Sequence, residues 1–200
     1  MMVKPPSVDR LYRKAVASLK SGDLNGAARC YGSALELDPT HLPALNNLAA
    51  TRATMGDTLA AAALYRNAIA QHPGAAEPHG NLGNLLRDTS DLEGAAKHYG
   101  ACLERAPGAA EVRYALGVVL QALGRTDAAA THLRRAAGDL GPDPRPWTAL
   151  AALALKQNQT EDAATYIAKA LAVAPENADA LNVSDLISHA RADFARARDL

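Results

Sequence analysis

Aromatic residues make up only 4% of this chain, with a single Trp and a single Phe. Its 21 basic residues are matched by 21 acidic ones, for a formal net charge of +0. A nucleic-acid surface usually needs a basic excess against phosphate and rings on which bases stack, so both shortages count against that class of partner. No run of about eighteen apolar residues occurs, which argues against a membrane-spanning helix, and residues 1–10 hold no apolar stretch of signal-peptide length. A cytoplasmic chain without membrane contact is the expectation. The abundance of alanine with arginine points to a GC-rich bacterial genome.

Catalytic signatures are missing as well. The sequence holds no Gly-rich phosphate loop, no Gly-x-Ser-x-Gly elbow, no His-Glu-x-x-His and no Cys-x-x-Cys. No enzyme and no cofactor is expected within these residues. His98 and His132 come nearest to a metal-ligand pair, but no carboxylate or thiolate completes a shell around them. The two cysteines, Cys30 and Cys102, fall in separate repeat units and read as small apolar core residues, too far apart to pair.

What the chain does have is a period of 34 residues, with units starting at Val8, Leu42, Ala76, Ala110 and Pro144. Periods of this size mark stacked helical repeats. One column of small residues reads Ala27, Ala61, Ala95, Ala129, Ala163; a second reads Ala15, Ala49, Gly83, Gly117, Ala151. Helices approach closely only where side chains are this small, so these columns are packing seams. Large apolar columns lie between them, among them Leu48, Leu82, Leu116 and Leu150, and Tyr31, Tyr65, Tyr99, Leu133 and Ile167.

Punctuation follows the same period. Gly22, Gly56, Gly124 and Asn158 stand where the first helix of each unit should end in a left-handed residue, and Ser90 breaks that column. Asp23, Asp57 and Asp91, or Thr58, Thr126 and Thr160, are candidate caps for the second helix. Pro39, Pro73, Pro107 and Pro175 close units, with a slip to Pro142 in the fourth.

These positions resemble the tetratricopeptide repeat (TPR) family across residues 8–177. The resemblance implies an all-α fold, a right-handed solenoid of five helix-turn-helix units at 8–41, 42–75, 76–109, 110–143 and 144–177. A tail covers residues 1–7 and a capping helix residues 178–200. His79 and Arg113 depart from the pattern, replacing the bulky residue that Trp147 supplies. Lys14 and Ser184 stand where leucine is usual, at the two ends of the array, where one face meets water. In the last segment Asp185 occupies a Gly or Ala column, so a second helix could not pack there without burying a charge. An apolar stripe of Val183, Ile187, Ala190, Phe194 and Ala197 marks that helix.

In this family the first helices line a concave groove, so the resemblance implies a protein or peptide ligand held there. The groove columns supply Tyr12, Arg13, Asn46, Asn47, Asn81, Asn84, Arg87, Tyr114 and Gln121 as candidate partner-binding residues. Four asparagines on one face are unusual, since Asn is a poor helix former. An amide both donates and accepts, so it can pair with a peptide backbone whatever the ligand's side chains. The alternation of Asn47 and Asn81 is similar to the start of the asparagine ladder in the repeat region of O-linked N-acetylglucosamine transferases; it lapses at Ala115 and Ala149. The carboxylate clamp of chaperone-tail receptors is not matched: Tyr12, Val16, Glu77 and Asn81 stand where Lys, Asn, Lys and Arg are expected. Two further readings stay open. One is a docking arm for a bacterial glycosyl-, sulfo- or methyltransferase domain outside this chain. The other is self-association through an outer column of Leu64, His98, His132 and Tyr166.

Overall fold

The computed structural model describes the backbone of residues 7–198 and the side chains of residues 7–192. It divides into two compact units, residues 1–106 and 107–200. The first contains α1 (Val8–Lys20), α2 (Leu24–Leu37), α3 (Leu42–Thr54), α4 (Thr58–Gln71), α5 (Glu77–Asp88) and α6 (Leu92–Arg105). The second contains α7 (Ala110–Ala122), α8 (Thr126–Asp139), α9 (Pro144–Lys156), α10 (Thr160–Val173) and α11 (Ala178–Arg198). No strand occurs among the described residues. The tail expected over residues 1–7 lies outside them except for Ser7, whose hydroxyl accepts from the Arg10 N–H and caps α1.

Inside each unit, consecutive helices pack as neighbours: α2 touches α1 and α3, α4 touches α3 and α5, α8 touches α7 and α9, and α10 touches α9 and α11. First helices also meet: α3 with α5, and α9 with both α7 and α11. One face of each unit is therefore built from first helices alone.

The turns follow from local chemistry. Gly22, Gly56 and Gly124 take φ of 81°, 83° and 73°, and Asn158 takes 58°. Ser90 adopts the same left-handed geometry at φ 65°, so the column that breaks in residue type does not break in conformation. Asp23, Asp57 and Asp91 accept from the N–H groups of Gly26, Ala60 and Gly94 at 2.7, 3.2 and 2.9 Å. The threonine alternative is corrected. Thr58, Thr126 and Thr160 are already the first helical residues, and α8 and α10 begin after Arg125 and Gln159 with no side-chain cap. After α8, Gly141 at φ 67° takes the turn ahead of the slipped Pro142.

Close approach is real where the small columns meet the large ones. A Cβ on Gly83 would lie 2.6 Å from the Tyr99 ring, and one on Gly117 would lie 2.7 Å from Leu133 Cγ. Ala15, Ala27, Ala34 and Tyr31 form one fully buried cluster with Ala44. In the second unit, Ala180 and Ile187 of α11 join Ala151, Ala154 and Ile167, with Val183 against them. Asp185 is exposed, as is Lys14 at the other end, while Ser184 is half-buried. The side chains of Phe194 and Ala197 lie outside the described residues.

The column expected on an outer face is partly covered. Leu64, His98, His132 and Tyr166 are all half-buried. His98 faces His79, with ring nitrogens 3.1 Å apart, and Tyr166 stacks on Trp147 at 6.2 Å. The alanine seams bring the two helices of a pair close enough for these side chains to meet across it. His98 thus spends its ring on its own pair. Cys102 is buried and Cys30 half-buried, both as free thiols.

Candidate functional site

In the first unit the inner residues come from α1, α3 and α5. Asn47 is the best anchored: its Nδ2 donates to the Tyr12 hydroxyl at 2.9 Å and to the Tyr31 hydroxyl at 3.2 Å. The Tyr12 ring lies between Tyr31 and His41, with centroids 5.6 and 5.5 Å away. On α5, the next first helix, Asn84 Oδ1 accepts from the Tyr99 hydroxyl at 2.7 Å. Asn81, three residues before Asn84 and on the same helical face, is half-buried and has no hydrogen-bond partner among the described residues. Asn47 Oδ1 and Asn84 Nδ2 take no part in the bonds just described.

Burial raises the pKa of the buried tyrosines. It raises Tyr31, against the opposing hydrogen bond from Asn47, and raises Tyr99. Tyr65 is pushed up to about 12 by burial, with the Glu77 charge adding to it.

Asn46, expected on the inner wall, is buried in the core instead. It is 1% exposed, and neither end of its amide has a hydrogen-bond partner among the described residues. It therefore faces the packed side of α3, a quarter turn from Asn47, and presents nothing to a ligand. Arg13 is exposed and folds back on the Asp9 carbonyl at 3.2 Å. Arg87 is exposed and bonds Asp88 Oδ1 through Nε and Nη2 at 3.1 and 2.9 Å.

The second unit holds a separate feature, a recess of about 220 Å³ walled by α7, α9 and the start of α11. Tyr114 and Gln121 both line it, with Val118 between them and Ala149 and Ala152 opposite. The Arg145 guanidinium lies 5.1 Å from the Tyr114 ring centroid. Its Nη2 is also 2.5 Å from Asp143 and 2.8 Å from Glu111. The hydrogen bonds that Arg145 donates to these two carboxylates raise its pKa, and the same contact lowers that of Asp143. Burial raises the Tyr114 hydroxyl, Arg145 opposing it and Asp143, Glu111 and Asp179 reinforcing it. No group of three His, Cys, Asp or Glu able to hold a metal occurs among the described residues, and no described helix is long and apolar enough to cross a membrane.

Three models of the tetratricopeptide repeat match residues 8–41, 48–101 and 86–153. The chain is a tetratricopeptide-repeat protein. Solved structures agree on the fold. A MamA structure aligns with TM-score 0.77 at 21% identity, over 82% of this chain and 96% of its own. PilF of Pseudomonas aeruginosa aligns with TM-score 0.79 at 21% identity, over 96% and 87%. YrrB, described as a TPR protein with an unusual peptide-binding site, aligns with TM-score 0.78 at 17% identity, over 90% and 92%. No curated protein matches the sequence.

Tyr114 and Gln121, expected from the groove columns, line the recess together with Arg145 and Asp179, which were not among the expected residues. A signal for both was present. Glu111, Arg145 and Asp179 follow one another at the repeat period, in one column of successive first helices, so an alternation of sign along the inner edge could have been read directly.

Proposed function

We propose that this TPR protein is a protein-interaction scaffold that holds an extended peptide segment, or a partner helix, against the inner faces of its first helices. The observation that carries this reading is the half-exposed amide of Asn81, which no described residue engages. Asn84 Nδ2 beside it and Asn47 Oδ1 on the neighbouring α3 supply further polar groups on the same wall, held in place by Tyr99, Tyr12 and Tyr31. Pre-positioned amides can pair with both groups of a peptide bond, and side chains fixed before binding lose little entropy on doing so. Membership of the TPR family supports the same class of role.

The test is a peptide array probed with the wild-type chain and with the double variant Asn81→Ala/Asn84→Ala. Loss of two hydrogen bonds of about 1 kcal/mol each predicts a loss of roughly tenfold or more in affinity. Equal binding by both would refute an inner-wall role for these amides. Asn47→Ala is a poorer probe, because it removes two ties, to Tyr12 and Tyr31, where Asn84→Ala removes one, to Tyr99.

A further inference from the structure

We infer that the recess of the second unit is a pocket for one lysine or arginine side chain of an extended partner peptide. This rests on the groove reading above and adds the charge of the residue selected. At about 220 Å³ the recess falls below the roughly 300–1,000 Å³ of small-molecule sites, so it admits one side chain and not a cofactor. Its apolar lining residues, Val118, Ala149 and Ala152, suit an alkyl stem, and long cationic side chains bury such stems while keeping the head at a polar rim.

The charge at that rim decides the head group. Arg145 is already satisfied by Asp143 and Glu111, at 2.5 and 2.8 Å, and lies over Tyr114. Asp179, one repeat period after Arg145 in the same column, lines the recess and forms no ion pair among the described residues. One guanidinium thus faces three carboxylates, and the surplus is negative. An acidic side chain entering here would meet that surplus with Arg145 already taken. A basic one would find Asp179, with the Gln121 amide lining the same recess.

The experiment titrates the ¹⁵N-labelled chain with a blocked Ala-Ala-Lys-Ala-Ala peptide, and with versions carrying Glu or norleucine at the centre. The lysine peptide should shift the amides of Val118, Ala149 and Ala152 saturably, and bind about tenfold tighter than the Glu peptide. Asp179→Asn should weaken it about threefold, as expected for a partly exposed pair, with the melting temperature unchanged. If the Glu or norleucine peptide binds as tightly, or Asp179→Asn changes nothing, the basic pocket is overturned while the inner-wall reading stands. If none of the three shifts any residue of α7 or α9, the pocket and the groove reading fail together in this unit.

Discussion

The Nδ1 atoms of His79 and His98 lie 3.1 Å apart across α5 and α6. One must carry hydrogen and the other must not, so the contact exists only while at least one ring is neutral. His79 Nε2 is buried without a partner. A bare acceptor there is less costly than an unpaired N–H, which places the shared proton on His79 and leaves His98 Nδ1 to accept it.

Acidification should therefore destabilise this pair of helices. Burial lowers the pKa of His79 and of His98, each ring's charged surroundings contributing, and burial with Arg113 lowers that of His132. A depressed folded value means that the unfolded chain binds more protons below the ordinary imidazole range near 6.5. Stability is then full above that value and falls as pH drops toward the folded values. Urea midpoints between pH 7.5 and pH 5 should decline, and the double variant His79→Leu/His98→Leu should flatten the slope without abolishing it, because His132 remains. Leu45 and Leu64 occupy the equivalent columns one unit earlier, so the geometry accepts leucines. An unaltered slope in that variant would remove the pair as the cause.

Two kinds of glycine should respond oppositely to alanine. Gly83 and Gly117 sit under Tyr99 and Leu133, where a Cβ would be 2.6 and 2.7 Å from its neighbour. Gly83→Ala and Gly117→Ala should each cost about 1–3 kcal/mol through overpacking. Gly32, inside α2, has nothing within 4 Å of the same position, so Gly32→Ala should stabilise by up to about 1 kcal/mol. Thermal melts of the three variants compare them directly; equal shifts of one sign would contradict the packing described.

Ser90 holds φ at 65° where the equivalent turns use Gly22, Gly56 and Gly124. A non-glycine residue is strained there by about 1 kcal/mol or more. Ser90→Gly should raise stability by roughly that amount, measured as a higher denaturant midpoint at constant m-value. A decrease would mean that the serine side chain contributes more than the turn geometry costs.

Much of this architecture was legible because a repeat states each rule several times over. The small columns, the left-handed turns and the aspartate caps could be read from Ala27, Gly22 and Asp23 and checked one period on. The site was less legible for a geometric reason. Asn46 and Asn47 are adjacent in sequence but about 100° apart around α3, and that angle sends one into the core and the other to Tyr12 and Tyr31. Period alone could not say on which side of the wall each column falls. The contacts of His98 with His79 and of Tyr166 with Trp147 were hidden likewise, since they depend on how closely the helices of a pair approach.

Arg113 stands where Trp147 stands in the following pair and is 3% exposed. Its Nη1 lies 2.6 Å from Asp139 Oδ2, and its Nη2 donates to the Pro107 carbonyl. Asp139→Ala would leave a buried cation with a carbonyl as its only described acceptor. Breaking a fully buried pair this way costs about 3–5 kcal/mol; Asp139 is 40% exposed, so water softens the loss to about 2 kcal/mol. Arg113→Trp in the same background removes the stranded charge and places an indole against His132, as Trp147 lies against Tyr166. The double variant should recover the wild-type melting temperature or exceed it, since a packed apolar group commonly replaces a buried ion pair without loss. If Asp139→Ala alone melts like the wild type, the ion pair does not hold α7 to α8; if the double variant melts lower than the single, the column does not accept an indole there.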